Sequence, residues 1–160
     1  MPPAPAPLRI DLPAPHATDA LGAALARHLG AGDAVLLHGP VGAGKSHLAR
    51  AVIGTARREA GLPPEPVPSP TFTLVQTYHA GGLEIWHADL YRLSDPAELA
   101  ELGLEDAFAA ALCLVEWPDR LGDARPPDAI DLTLGPGATD DARIATIALP
   151  PRLVHLADHL

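Results

Sequence analysis

The first third of the chain alternates short apolar runs with stretches of helical periodicity. Residues 8–12 alternate apolar and polar side chains, which predicts a short strand. Leucines then recur at helical spacing, and Thr18 would cap a helix that ends at Leu29. Residues 34–37 are all apolar, as in a strand buried on both faces, and a glycine-rich stretch separates them from a second helical pattern over residues 46–60. The predicted order is therefore strand, helix, strand, loop, helix.

A proline-rich connection then leads into a predicted β-hairpin. Residues 63–70 contain five prolines, which exclude a helix there. Residues 71–78 and 83–89 are rich in β-forming side chains, and residues 79–82, which include two glycines, would join them. The hairpin predicts an antiparallel element in the sheet.

The last part of the chain contains further alternating elements. Short helices are predicted over residues 96–102 and 104–110. A second buried strand follows at residues 112–115, and residues 130–134 and 144–149 predict a final pair of strands. This order predicts an α/β fold.

Length and composition indicate one folded domain. The chain has 160 residues, of which 48% are hydrophobic and 19% charged, so it has enough apolar surface to form a core. We expect a flexible Pro/Ala-rich tail over residues 1–7 and a single domain over residues 8–160. The only cysteine, Cys113, excludes an internal disulfide.

Net charge and hydropathy argue against an independent nucleic-acid-binding protein and against a membrane-spanning or exported one. The net charge of −9 disfavours independent binding to a nucleic acid, because the phosphate backbone would be repelled. No apolar run approaches the roughly 20 residues of a membrane span, and the start of the chain lacks the charged and apolar regions of a leader peptide. We therefore expect a cytoplasmic protein.

The glycine-rich stretch carries the most specific motif in the chain. Residues 39–46 read Gly-Pro-Val-Gly-Ala-Gly-Lys-Ser, which matches the Walker A pattern between a strand and a helix. Glycines let the backbone curl so that its N–H groups point inward toward a polyphosphate. Lys45, the only lysine of the chain, would bridge the outer phosphates, and the Ser46 hydroxyl would ligate Mg²⁺. The motif predicts a site for a nucleoside triphosphate.

Two carboxylates follow predicted strands and are candidates for the metal and for hydrolysis. Glu116 directly follows residues 112–115, and Asp89 ends residues 83–89. Either could hold Mg²⁺ directly or through water while the other orients the attacking water. Each could instead be an ordinary strand-end residue or helix cap. These residues leave the assignment of roles open.

The sequence indicates the roles of three other side chains less specifically. His87 and Asp89 share one face of a strand, but no third ligand has the right spacing, so we expect His87 to support a neighbour rather than to bind a transition metal. Trp117, next to Glu116, either packs in the core or contacts the nucleotide. Cys113 lies in an apolar run and is expected to be inert.

Four sequence blocks in the same order resemble the TsaE family, the small P-loop ATPases needed to make threonylcarbamoyladenosine in tRNA. The blocks are residues 39–46, 69–75 (SPTFTLV), 87–93 (HADLYRL) and 114–118 (LVEWP). The resemblance covers nearly the whole chain. It implies a P-loop NTPase-like three-layer fold with a mixed parallel and antiparallel sheet.

The resemblance also implies an activity, cofactors and partners. The chain would bind ATP and Mg²⁺ and hydrolyse ATP, with TsaD and TsaB as partners and TsaD carrying the transferase site. Hydrolysis would keep the complex turning over while it installs threonylcarbamoyl on the adenosine next to the anticodon, and tRNA would be reached only through the complex. The expected catalytic residues are Lys45, Asp89 and Glu116, and the expected metal ligands are Ser46, Glu116 and Asp89. The expected nucleotide contacts are Gly39, Gly42, Ala43, Gly44, Lys45, Ser46, His47, Thr71 and Trp117.

Two positions depart from the family pattern. Pro40 stands where an aspartate is usual and removes one N–H group, and His47 stands where a second hydroxyl residue is usual. Because the inward N–H donors are expected mainly from Gly42 onward, we expect ATP binding to survive with somewhat lower affinity. The backbone N–H and the imidazole of His47 would replace part of the lost contact.

Two further assignments have alternatives. Residues 69–72 place hydroxyls near the loop, where a segment that senses the γ-phosphate would lie, or they form a strand start held by Pro70. Arg143 would approach the adenine side or pair with Asp140 or Asp141.

Two other functions share the Walker A motif. A small-molecule kinase would need an arginine-bearing lid, and Arg120 and Arg125 lie in a loop too short for a convincing one. A non-hydrolysing nucleotide sensor would use ATP only to hold a shape that a partner recognises.

Overall fold

Seven strands form one mixed sheet in the order β1-β7-β6-β2-β5-β4-β3. The computed structural model describes residues 5–160, so residues 1–4 of the predicted tail lie outside the described residues. The strands are β1 (Leu8–Leu12), β2 (Ala34–His38), β3 (Val75–Ala80), β4 (Leu83–Asp89), β5 (Leu112–Glu116), β6 (Ile130–Pro136) and β7 (Arg143–Ala148).

Four α-helices and two 3₁₀ segments complete the described structure of residues 5–160. The helices are α1 (Pro15–His28), α2 (Lys45–Glu59), α3 (Ala97–Leu102) and α4 (Leu104–Ala110), and the 3₁₀ segments are Pro118–Ala124 and Pro151–Asp158. None of the helices in this part of the chain is both long and apolar enough to cross a membrane.

The centre of the sheet is parallel and its margins are antiparallel. Strand β2 pairs in parallel with β5 and β6, and β5 pairs in parallel with β4. The β3–β4, β6–β7 and β1–β7 pairs are antiparallel. Because parallel strands end at the same edge, the loop after β2 and the last residues of β4 and β5 lie together. In this register Glu116 is opposite both Leu37 and Asp89.

Side chains from the two faces of the sheet form two cores. Val35 and Leu37 join the core that also contains the buried faces of α1 and α2. Ala34 and Leu36 join the core with residues of α3 and α4. Strand β2, which is apolar over residues 34–37, therefore packs against helices on both faces, and this confirms the predicted α/β fold, its three layers and its mixed sheet.

Two local predictions are wrong. Helix α1 begins at Pro15, and Thr18 is buried inside it with 6% exposure rather than capping it. Residues 71–74 form a turn instead of the predicted strand start, since Leu74 has a φ of 67° and β3 begins only at Val75. In this conformation Leu74 donates its N–H to Pro70 and accepts one from Asp89.

Cys113 lies in the second core, as expected. Its side chain is fully buried on β5. Burial raises the pKa of the Cys113 thiol to about 12, with the Glu84 carboxylate adding to the shift. The reactive thiolate form is therefore disfavoured at neutral pH, which agrees with the prediction of an inert cysteine.

Helices α1 and α2 lie close together at Gly22. A Cβ atom at this position would lie 2.5 Å from the Cβ of Ala51 on α2. At Gly54, also on α2, an added Cβ would meet no atom within 4 Å. The two glycines are therefore a matched pair, of which only Gly22 is required by packing.

We expect Gly22→Ala to lower the free energy of unfolding by about 1 kcal/mol or more. Overpacking typically costs about 1–3 kcal/mol, and a Cβ–Cβ distance of 2.5 Å belongs to the upper part of that range, which exceeds the gain of about 1 kcal/mol in helix propensity. Gly54→Ala has only the propensity gain, and we expect it to stabilise the protein by about 0.5–1 kcal/mol. Urea unfolding measures both values, and a change of the same sign in the two variants would contradict the close contact.

Candidate functional site

The loop between β2 and α2 has the backbone conformation that its glycines permit. Gly39, Gly42 and Gly44 have φ angles of 141°, 82° and 102°. At Gly39 an added Cβ would also lie 2.6 Å from the carbonyl oxygen of Leu134. The loop at residues 39–44 therefore needs glycine for its conformation at three positions and for space at one.

The amino end of α2 presents a group of unpartnered N–H donors. The first hydrogen bond that closes a helical turn runs from Leu48 N–H to the carbonyl of Gly44, at 2.9 Å. Within residues 5–160, the N–H groups of residues 44–47 have no acceptor. The first turn of α2 also has no acidic residue and no side-chain cap. This helix end is an electropositive site with free donors, which is suited to an anion.

Lys45 is folded back over the same loop. Its Nζ donates a hydrogen bond to the Gly39 carbonyl and lies 3.6 Å from the centre of the Trp117 ring. The residue is only 5% exposed. Burial lowers the pKa of Lys45, although the nearby Glu116 and Asp89 carboxylates act in the opposite direction.

Glu116 is a buried carboxylate with two side-chain donors. It is 3% exposed at the end of β5. The Ser46 hydroxyl lies 3.0 Å from its Oε1 and 2.9 Å from its Oε2. The Nε2 of His87, on β4, lies 2.6 Å from Oε2. Because a carboxylate accepts, His87 donates through Nε2, and its buried Nδ1 has no partner within the described residues. His87 therefore supports a neighbour, as predicted.

Asp89 has a different set of partners. Its Oδ1 accepts the Tyr91 N–H at 3.0 Å. Its Oδ2 lies 3.4 Å from the Ser69 hydroxyl and 3.5 Å from the Thr71 hydroxyl. Asp89 thus connects the end of β4 to the turn that precedes β3, whereas Glu116 connects β5 to the start of α2.

Trp117 turns the chain sharply out of β5. Its φ of 57° and ψ of 53° place it in the left-handed region, which is unusual for a large side chain. Its ring packs on Tyr91 with centroids 4.8 Å apart, and Lys45 lies on it. The strained turn after Glu116 therefore brings an aromatic side chain to the wall of the loop.

These residues surround one cleft of about 430 Å³. Of the predicted site residues, Gly42, Gly44, Lys45, Ser46, His47, Thr71, Asp89, Glu116 and Trp117 line it. Gly39 and Ala43 belong to the loop but do not line the cleft. The prediction missed Val41 and Tyr91 as lining residues. Tyr91 follows Asp89 by two positions, and this proximity to a strand-end carboxylate was the available signal.

Two basic side chains near the loop have partners outside the cleft. The Nε2 of His47 lies 2.8 Å from Asp19 Oδ1 on α1. Arg143 donates to main-chain carbonyls, including that of Asp140, rather than to the carboxylates proposed for it.

We expect the His87 hydrogen bond to stabilise the buried Glu116. His87→Leu removes the donor and should lower the free energy of unfolding by about 1–3 kcal/mol. His87→Gln places an N–H near the position of Nε2 and should recover part of that loss. Thermal and urea unfolding of the two variants provide the comparison, and equal stability of the Leu and Gln variants would contradict it.

Comparison with known proteins identifies the family. The profile of "Threonylcarbamoyl adenosine biosynthesis protein TsaE" matches residues 12–144. The fold superposes on the crystal structure of YdiB from Bacillus subtilis with a TM-score of 0.76, at 26% identity, over 99% of this chain and 95% of that one.

Several relatives named "tRNA threonylcarbamoyladenosine biosynthesis protein TsaE" are similar in sequence. The one from Rickettsia conorii is 40% identical over 117 residues, which are 73% of this chain and 65% of the relative. The one from Haemophilus influenzae is 40% identical over 110 residues, 68% of this chain and again 65% of the relative. The one from Bacillus subtilis is 30% identical over 150 residues, 91% of this chain and 89% of the relative. The chain therefore belongs to the TsaE family, which acts in the biosynthesis of threonylcarbamoyladenosine in tRNA.

Proposed function

We propose that this protein binds and hydrolyses ATP as a partner subunit of the machinery that installs threonylcarbamoyl on tRNA adenosine. The observation that carries the proposal is the group of free N–H donors at residues 44–47, with Lys45 and the Ser46–Glu116 contact beside it. Donors of this kind at a helix start bind phosphate groups. The family membership supplies the process in which that chemistry would act.

The loop residues would hold the triphosphate. The N–H groups of residues 44–47 would donate to its oxygens, and Lys45 would exchange its bond with the Gly39 carbonyl for bonds to phosphate. Pro40 does not reduce this donor set, because its missing N–H lies before the group, and its carbonyl accepts the Ala43 N–H at 3.1 Å. This supports the expectation that ATP binding survives the departure at Pro40.

The oxygen ligands beside the loop fit Mg²⁺. Within residues 5–160 no three His, Cys, Asp or Glu side chains are grouped so that they could hold a metal ion by themselves. Mg²⁺ typically needs only one or two carboxylates, since phosphates and waters complete its coordination. We assign the direct ligands to Ser46 and Glu116, which are already in contact. Mg²⁺ bound there would neutralise the charge that develops on the phosphates.

Asp89 would orient the water that attacks the phosphate. It is 6% exposed, lies at the cleft and is opposite Glu116 in the sheet. Ser69 and Thr71 lie close to its Oδ2, so a movement of residues 69–72 would change how this carboxylate is held. This arrangement supports a role for that segment in sensing the γ-phosphate.

Partner proteins would complete the active state. We expect TsaD and TsaB to bind this chain, and its net charge of −9 favours reaching tRNA through such partners rather than directly. P-loop hydrolases often need a partner for full activity, so the isolated protein should be slow.

The two arginines that a kinase lid would use are engaged elsewhere. Arg120 donates to the carbonyl of Leu93 at 3.3 Å. Arg125 pairs with Asp131, with Nη1 2.9 Å from Oδ1. Because both arginines are already engaged, these contacts favour transfer of the phosphoryl group to water rather than to a small-molecule acceptor.

Phosphate release separates the candidate functions. The wild-type protein should release phosphate from ATP, and faster with TsaD and TsaB. Glu116→Gln and Asp89→Asn should each slow release by about 100-fold or more, because the metal ligand or the group acting on water is lost. The control is Glu59→Gln, at the far end of α2, where Glu59 pairs with Arg27 on the surface.

The alternatives have distinct results in the same assay. A kinase would transfer labelled phosphate to an acceptor in a metabolite extract. A sensor would support tRNA modification by the reconstituted complex equally well with Asp89→Asn, because this variant keeps the proposed metal ligands Ser46 and Glu116. If the folded wild-type protein released no phosphate with both partners present, the proposed ATPase activity would be refuted.

A further inference from the structure

Arg143 connects the phosphate-binding loop to a distant part of the chain. It is the first residue of β7, and its guanidinium reaches back by 100 positions in sequence. Nε donates to the Ala43 carbonyl at 3.1 Å, and Nη2 donates to the Gly42 carbonyl at 3.2 Å. Nη1 donates to the carbonyls of Asp140 and Ala142 at 2.6 and 2.8 Å. One side chain therefore bridges four carbonyls in two loops.

These contacts determine the direction of the loop's N–H groups. In a trans peptide the C=O and the next N–H point in opposite directions. Holding the Ala43 carbonyl toward Arg143 therefore turns the Gly44 N–H away from Arg143. The Gly42 carbonyl is held in the same way, and the Ala43 N–H opposite it donates to Pro40 at 3.1 Å. The guanidinium thus orients two successive peptide planes, and the second of them carries the first of the free donors.

The loop needs such an external support. Gly42 and Gly44 have the widest backbone freedom of any residue type, and an added Cβ at Gly42 would meet no atom within 4 Å. The Lys45–Gly39 bond is one that a bound phosphate would compete for. The Ala43 carbonyl that Arg143 holds faces away from the Gly44 N–H, so this contact would persist when the Gly44 N–H binds phosphate.

We propose that Arg143 is a positioning residue that preorganises the loop for the polyphosphate, whatever nucleoside is attached. The role rests on the proposed function, because it assumes that the loop binds phosphate. A lysine could not replace it, since a single ammonium group lacks the planar fork that bridges several carbonyls.

The test compares ligands with and without a nucleoside. Isothermal titration would measure the affinity of the wild-type, Arg143→Ala and Arg143→Lys proteins for ATPγS and for inorganic tripolyphosphate, each with Mg²⁺. We expect both variants to bind both ligands about tenfold more weakly or worse, as for the loss of charged hydrogen bonds. Ethylguanidine at millimolar concentration should restore part of the affinity of Arg143→Ala but not of Arg143→Lys.

A matched control removes another bridging arginine. Arg152 donates to Asp33 at 2.6 Å and to Asp128 at 2.7 Å. Asp33 precedes β2, whereas the loop follows it, so Arg152→Ala acts at the opposite edge of the sheet. Its ligand affinities should match those of the wild type.

Three results would overturn the role of Arg143. Loss of ATPγS binding with unchanged tripolyphosphate binding would mean that the guanidinium contacts the nucleoside. Wild-type affinity in Arg143→Lys would mean that only its charge matters, and this variant keeps the test valid if Arg143→Ala does not fold. Wild-type affinity in both variants would mean that Arg143 has no role in binding the polyphosphate. If the folded wild-type protein bound neither ligand, the proposed function would fail together with this role, whereas the other results leave that function intact.

Discussion

The abrupt change from β2 to α2 is the feature on which the rest of the site depends. A buried parallel strand ends at His38. After the loop of residues 39–44 a helix begins, and the N–H groups of residues 44–47 have no acceptor within residues 5–160. Such donors are costly to leave unpaired away from water and are stabilised by an anion. Glycines with positive φ angles make this turn possible, so the loop conformation and the proposed phosphate binding have the same origin.

The parallel centre of the sheet then brings the remaining groups to this point. Glu116 and Asp89 are far from the loop in sequence, but their strands end at the same edge and are in register. The two carboxylates have different hydrogen-bond partners. Glu116 accepts hydrogen bonds from the Ser46 hydroxyl and from the buried His87, whereas Asp89 lies beside residues 69–72. This difference favours Glu116 as the metal ligand and leaves Asp89 close to a segment that could move.

Local and periodic features could be predicted from the sequence, and long-range side-chain contacts could not. The loop was predictable because glycine spacing reports backbone conformation, and Glu116 because carboxyl ends of parallel strands converge. The strand predicted from residue 71 failed, because Leu74 adopts a positive φ that no local propensity indicates. The contact of Arg143 with the loop depends on the register of β6 and β7, which the sequence pattern does not specify. The missing cap at Thr18 has a simpler cause, since a proline already suits the first turn of α1.

A crystal structure with Mg²⁺ and a non-hydrolysable ATP analogue would test the central claim most directly. The account predicts phosphate oxygens on the N–H groups of residues 44–47, with Lys45 Nζ moved from the Gly39 carbonyl to the phosphates. A structure in which the analogue binds elsewhere, or in which side chains of the protein fill the loop, would contradict it.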